Sequence, residues 1–355
     1  MADQLPSSRE SKSAAQEAAK DRISQARSQS RSPTAWANEI IKGDRSALSQ
    51  AITLTESSKP SDQLMLDILL QAVQSNKKET ASIRIGITGV PGVGKSTFIE
   101  CYGLLLLERN HRVAVLAVDP SSGITKGSIL GDKTRMEMLS REKNAFIRPS
   151  PTASALGGIT RGTHEAILLC EAAGFDRILI ETVGVGQSEI AVRECSDAFV
   201  LLMLPGGGDE LQGIKRGIME MADVLLINKS DGSGKSLARE TAAQYLQALH
   251  LMPPNPAGHS VAVQLISALE NQGIDAFENH LFGLVTDWKS NGAFGKRRGD
   301  QAMHLFEKHV QQFSMQSRWG DTGAEKLWQA TMAHVQTGQI NPYTAARSWM
   351  QQETT

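Results

Sequence analysis

The sequence predicts an α/β fold with a doubly wound, mostly parallel sheet. Two features carry that expectation. Short apolar runs recur at Ile83–Thr88, Val113–Val118, Arg177–Thr182, Ala198–Leu204 and Val224–Asn228, with Val261–Ile266 a weaker sixth. Longer stretches of helical character separate them. Runs of this length without strict alternation suit strands buried on both faces. Strand–helix alternation favours parallel pairing, and such sheets bind ligands at the carboxyl ends of their strands.

The elements follow in chain order. Residues 1–34 are rich in Ser, Ala, Gln and Arg and faintly resemble an organellar transit peptide, but Asp3, Glu10, Glu17 and Asp21 are wrong for one. They read as a polar, disordered leader on a cytoplasmic protein. Residues 35–80 read as a helical region. Ala35–Lys42 and Ala47–Leu54 carry apolar residues at helical spacing around Gly43-Asp44, and Leu64–Val73 continues the pattern. Residues 81–290 hold the strand–helix alternation. Residues 290–300 (SNGAFGKRRGD) are Gly-rich and basic and read as a linker. Residues 291–355 form a C-terminal helical arm. Within it Met303, Phe306, Val310 and Phe313 share one helical face, and Leu327, Met332 and Val335 mark another helix. An apolar face of that size on an arm predicts an interface, here a homodimer.

Composition narrows the function. Hydrophobic residues make up 40% of the chain, enough for a sizeable core. Lys plus Arg total 37 against 38 Asp plus Glu, so no general field attracts nucleic acid or an acidic membrane. Apolar runs fall short of the roughly 20 residues a membrane span needs. The three cysteines, Cys101, Cys170 and Cys195, form no CxxC pair, which argues against a disulfide scaffold or thiolate zinc site and suits a reducing compartment.

The chemistry begins after the first strand. Gly89-Val90-Pro91-Gly92-Val93-Gly94-Lys95-Ser96, followed by Thr97, fits GxxxxGK[ST] between a strand and a helix, the pattern of a P-loop NTPase. Glycines let successive N–H groups turn toward phosphate oxygens, and the helix adds its positive end. Lys95 would reach the β- and γ-phosphates, and Ser96 would place its hydroxyl on Mg²⁺. Gly232-Ser233-Gly234-Lys235-Ser236 also ends in GKS, but Lys229 stands where the first glycine is needed. That segment reads as a flexible turn.

Three acids fall at strand ends or in the loops beyond them: Asp119, Asp132 and Glu181. Beside a P-loop such carboxylates can hold Mg²⁺, often through its waters. Gly184 can offer an N–H to the γ-phosphate, and Gln187 can orient the attacking water. Asn228-Lys229-Ser230-Asp231 fits NKxD. The Asp231 carboxylate is an acceptor, so it matches the N1–H and N2–H₂ donors of guanine, whereas adenine would leave it unpaired. Lys229 would lay its stem over the purine and Asn228 would brace the loops. Ser267-Ala268-Leu269 would give backbone N–H groups to the guanine O6. GTP, GDP and Mg²⁺ are the expected ligands.

The chain resembles the MeaB/ArgK (MMAA-like) family of P-loop GTPases. The stretches that carry the resemblance are GITGVPGVGKSTFIE (86–100), VAVLAVDPSS (113–122), GSILGDKTRM (127–136), FIRPSP (146–151), ETVGVGQSE (181–189), LPGGGDELQGIKRGIMEMAD (204–223) and NKSD (228–231). The resemblance implies a GTPase chaperone of an adenosylcobalamin-dependent acyl-CoA mutase, typically methylmalonyl-CoA mutase, that gates cofactor loading and protects the enzyme. It assigns phosphate and metal roles to Lys95, Ser96, Asp119, Asp132 and Glu181. It makes Gly206–Gly217, with Lys215, a third switch toward the mutase, and it implies a homodimer. Rival readings are a kinase linked to basic amino-acid transport, a nickel-inserting GTPase and a nucleotide-binding scaffold. The first lacks a motif for a base at an acceptor hydroxyl. The second needs clustered His and Cys, and the eight histidines are scattered. The intact Lys95, Ser96 and acids argue against the third.

Overall fold

The computed structural model describes residues 32–57, 59–75, 82–118, 136–148, 162–182, 188–206, 216–252, 259–314 and 322–351. Seven strands form one sheet: β1 (Ile83–Gly89), β2 (Val113–Val118), β3 (Ala145–Arg148), β4 (Arg177–Thr182), β5 (Ala198–Met203), β6 (Val224–Ile227) and β7 (Ala262–Leu265). Their order is β3-β2-β4-β1-β5-β6-β7, and every pairing is parallel. The chain runs outward from β1 to β2 and β3, returns to insert β4, then crosses to β5, β6 and β7. The central strands therefore end together at one carboxyl edge.

The alternating faces of each strand feed two cores. In β5, Phe199, Leu201 and Met203 join one, while Ala198, Val200 and Leu202 join the other. The second core packs under α4 (Lys95–Glu108), α5 (Glu137–Arg141) and α10 (Ile274–Ser290), through Phe98, Tyr102, Leu139, Phe277 and Trp288 among others. The first core takes in the N-terminal helices α1 (Pro33–Ile41), α2 (Arg45–Thr55) and α3 (Pro60–Ser75). Trp36, Ile40, Leu48, Ile52 and Leu69 bury against the same cluster as Phe146 and Ile178, together with α6 (Thr163–Ala172). Ser32 caps α1 by accepting from the Ala35 N–H at 3.2 Å, ahead of Pro33. Asp44 caps α2 through the N–H groups of Ser46 and Ala47, at 2.8 and 2.9 Å. The remaining helices of the sheet domain are α7 (Ser188–Cys195), α8 (Arg216–Met221) and α9 (Lys235–His250).

Four readings of the sequence change here. β3 went unrecognised, because four residues at a sheet edge carry little pattern. The Gly232–Gly234 stretch is a short 3₁₀ turn that runs directly into α9, not a flexible turn. Residues 290–300 are not a linker: α11 (Ala293–Ser314) begins within them. Gly292 closes the preceding helix at φ +80°, and Asn291 Oδ1 accepts from the Ala293 N–H at 2.9 Å. The basic residues that suggested a linker are partners of buried acids. Arg298 meets Asp197 at 2.6 Å and Arg297 meets Asp223 at 3.2 Å, with both aspartates fully buried.

The fourth concerns the arm. Phe306 and Val310 are buried within the chain, in a third core with Val335 of α12 (Thr322–Gln336) and Ala345 and Ala346 of α13 (Pro342–Gln351). Met303 and Trp328 pack against it. The Phe313 side chain lies outside the described residues. The chain covers this face itself, so the face gives no ground for a homodimer.

Candidate functional site

The site grows from the carboxyl end of β1. Ile83, Ile85 and Ile87 anchor that strand in one core. At its end Gly89 lies so close to β5 that a Cβ there would sit 2.5 Å from the Leu202 carbonyl oxygen. The loop turns over Val90, Pro91, Gly92 and Val93, closed by Val93 N–H to the Val90 carbonyl at 3.2 Å, with Val93 buried. Gly94 adopts φ +95° and starts α4 without a side-chain cap. The first N–H groups of α4 carry the positive end of the helix dipole.

Lys95 folds back over this loop. Its ammonium donates to the Gly89 and Val90 carbonyls at 2.8 and 3.3 Å, and the residue is buried. Burial lowers its pKa, and the carboxylates of Glu181 and Glu189 oppose that shift. Ser96, the next residue, donates from Oγ to Glu181 Oε1 at 3.2 Å. The hydroxyls of Thr88 and Thr182 meet at 3.0 Å and tie the ends of β1 and β4 together. That pair puts the buried Glu181 beside the loop. Thr97 faces outward on the first turn of α4.

Asn228, at the end of β6, is buried and links two loops. Its amide donates to the Val93 carbonyl at 2.8 Å, and its Oδ1 accepts from the Ala268 N–H at 3.0 Å. Gly94 is required beside it, because a Cβ there would lie 2.7 Å from Asn228 Nδ2. Lys229 takes φ +58° and spans the loop to the Gly92 carbonyl at 2.8 Å. Ser230 donates through both its N–H and its hydroxyl to the Ile266 carbonyl, at 3.1 and 2.7 Å. The Asp231 carboxylate accepts from the Ser267 hydroxyl, and that hydroxyl oxygen accepts from the Glu270 N–H.

The structure thus brings Gly89, Val90, Pro91, Gly92, Val93, Gly94, Lys95, Ser96, Thr97, Glu181, Asn228, Lys229 and Asp231 to one sheet edge. Ser267, Ala268 and Leu269 follow β7 at the same edge, with Leu269 exposed. Two expected donors are already used. The Ser267 N–H goes to the Gln272 carbonyl and the Ala268 N–H to Asn228, both at 3.0 Å. They brace the site rather than wait for a base. Asp119, Asp132, Gly184, Gln187 and Lys215 lie outside the described residues. Sequence reading overlooked the Thr88–Thr182 pair and Glu189, which is 1% exposed. Glu189 has the ordinary signature of a helix first-turn acid, so nothing local marked it.

A magnesium ion needs hard oxygen ligands. Ser96 Oγ and Glu181 Oε1, adjacent and partly enclosed, are such a pair, so these residues fit the ion. No group of three or more metal-binding side chains occurs among the described residues. No described helix is long and apolar enough to cross a membrane.

Comparison with known proteins agrees with this geometry. The family described as methylmalonyl-CoA mutase-associated GTPase MeaB matches residues 48–323. The GTPase ArgK of Escherichia coli is 40% identical over 308 residues, covering 87% of this chain and 92% of its own length. The mitochondrial methylmalonic aciduria type A homolog of Mus musculus is 53% identical over 270 residues, covering 74% of this chain and 65% of its own. A crystal structure described as LAO/AO transport system kinase superposes with a TM-score of 0.67 at 32% identity, covering 88% of this chain and 95% of that one. With its P-loop, its NKSD segment and its parallel sheet in one arrangement, the chain belongs to the MeaB family of P-loop GTPases.

Proposed function

We propose that this GTPase associates with an adenosylcobalamin-dependent acyl-CoA mutase, methylmalonyl-CoA mutase or a close chemical equivalent, and acts as its chaperone. Its nucleotide state controls when the cofactor is loaded and helps protect the enzyme. The family to which the chain belongs supports the association. One observation on this chain carries the nucleotide half. The Asn228 side chain joins the phosphate loop to the base-side loop, so both halves of a guanine nucleotide meet one rigid frame.

In this reading the Lys95 ammonium exchanges its two loop carbonyls for phosphate oxygens. The α4 N–H groups and the glycine loop hold the remaining phosphate charge. Ser96, Glu181, Asp119 and Asp132 would hold Mg²⁺, and the ion when bound would supply positive charge to the phosphates. Gly184 and Gln187 serve the γ-phosphate and the attacking water. Asp231 reads the guanine N1–H and N2–H₂, and Leu269 lies beside O6. The homodimer stands on family resemblance alone and is tested by sedimentation of the full chain. A cytoplasmic setting remains part of the proposal.

The test is binding. Mutase affinity is measured with GDP and with a non-hydrolysable GTP analogue, for the unmutated chain and Lys215→Ala. The reading expects affinities that differ between nucleotides and converge in the variant. Equal affinities in the unmutated chain, with no effect of the mutase on GTP hydrolysis, remove the chaperone role. A separate titration of Asp231→Asn keeps the nucleotide assignment distinct. It should lose guanine and gain xanthine nucleotides, whose C2 carbonyl accepts where guanine donates.

A further inference from the structure

The helix α7 links the phosphate site to the C-terminal arm. Its first turn carries Glu189, buried and close enough to oppose the lowering of the Lys95 pKa. Its body lies tight against β1: a Cβ on Gly86 would come within 2.8 Å of Val192 and 2.9 Å of Ser196. Its far end meets α11. Gln301 Nε2 donates to the Ser196 carbonyl at 2.7 Å and reaches the Arg193 carbonyl at 3.5 Å. Glu194 faces His304 at 3.1 Å and Lys308 at 3.5 Å.

The arm itself is tied to parts of the protein away from the phosphates. Arg298 binds Asp197 and the Ser82 carbonyl at the amino-terminal edge of the sheet. Arg297 binds Asp223 at the start of β6. On the other side, the Thr344 hydroxyl donates to Asp67 of α3 at 2.7 Å, and His309 faces Glu165 of α6 at 3.5 Å. The arm is thus a fixed bracket, and α7 is the helix it holds that begins at the phosphates.

The α7–α11 seam is incompletely filled. A cavity of about 20 Å³, room for one water, lies along it between Val192, Cys195, Gln301 and Leu305. Gln301 Oε1 is buried there with no hydrogen-bond partner among the described residues. The void and the unpartnered acceptor make this seam the less cohesive side of α7, beside its tight contact with β1.

We propose that α11 is a state-selective latch on α7: through Gln301, His304 and Lys308 it holds α7 in one nucleotide state, so the C-terminal arm sets the chain's relative affinity for GDP and GTP. A ligand shifts such an equilibrium only by its differential affinity for the two states, and the effect is reciprocal. The latch rests on the GTPase assignment and does not depend on the mutase.

Gln301 should dominate, because His304 and Lys308 are 54% and 39% exposed and surface pairs contribute little. Two measurements test the latch on the full chain. Dissociation constants for GDP and a non-hydrolysable GTP analogue should give a ratio shifted about 5-fold or more in a Gln301→Leu, Lys308→Ala variant. Glu194→Gln, an isosteric change at a half-buried side chain, should shift the ratio about 2-fold in the same direction. Hydrogen exchange over residues 188–195 should differ between the two nucleotides in the unmutated chain and become equal in the double variant. A merely structural contact would weaken both nucleotides alike and leave the ratio unchanged. An unchanged ratio in both variants, or equal exchange of α7 in both nucleotide states of the unmutated chain, overturns the latch.

Discussion

Replacing Asn228 by alanine removes two buried hydrogen bonds at once. One comes from the amide to the Val93 carbonyl at 2.8 Å, the other from the Ala268 N–H at 3.0 Å. Neither abandoned group can easily reach water, since Val93 is 0% and Ala268 5% exposed. Each net bond contributes about 0.5–1.5 kcal/mol, and an orphaned buried group costs about 1–3 kcal/mol, with partial relaxation between those limits. The variant should therefore lose about 2–4 kcal/mol of unfolding free energy without nucleotide. The lesion also frees the phosphate loop from the base-side loop, so GDP affinity should fall by roughly tenfold or more. Urea unfolding gives the first number and calorimetric titration the second. Asn228→Asp sharpens the test. It keeps an acceptor for Ala268 but turns a carboxylate oxygen toward the Val93 carbonyl, so its near-identical shape should not rescue it. Losses within about 0.5 kcal/mol for the alanine variant, with unchanged GDP affinity, would refute the clamp.

Lys95→Ala removes the ammonium that now rests on Gly89 and Val90, so GTP turnover should fall roughly a hundredfold or more while the helical circular dichroism is kept. Phosphate release at saturating GTP reads this, and undiminished turnover would contradict the phosphate assignment. Acid should also weaken the fold through His164, whose pKa is lowered to about 4 mainly by burial, with Arg84 and His309 also lowering it and Glu165 and Glu171 opposing. An imidazole depressed in the folded state contributes stability above its unfolded pKa of about 6.5 and loses it as pH falls toward 4. Between pH 7 and 5.5 the loss from this group should be ~1 kcal/mol. Melting of the unmutated chain and of His164→Gln across that range should converge as pH drops; parallel curves would exclude His164.

The parts whose meaning is local are legible along the chain. GxxxxGKS works because adjacent glycines and one helix start make an anion cradle, and all of that lies within a few residues. Asn228-Lys229-Ser230-Asp231 is legible for the same reason: the carboxylate's match to guanine is a property of the side chain. The buried runs of β1, β2, β4, β5 and β6 announced a parallel sheet because strands covered on both faces need continuous apolar residues. What those groups touch emerges only when distant segments pack together. Arg297 and Arg298 looked like solvent-loving linker residues, and the acids that draw them inward lie far back in the chain, Asp223 74 residues before Arg297 and Asp197 101 residues before Arg298. Phe306 and Val310 looked like an uncovered interface until α12 and α13 folded back over them. The Ala268 N–H looked available for a base, and Asn228 had already taken it. Helical and strand periodicity report which residues seek burial, because that depends on spacing along the chain. Which partner satisfies a buried charge, N–H or apolar face depends on where distant segments meet, and that is settled by packing.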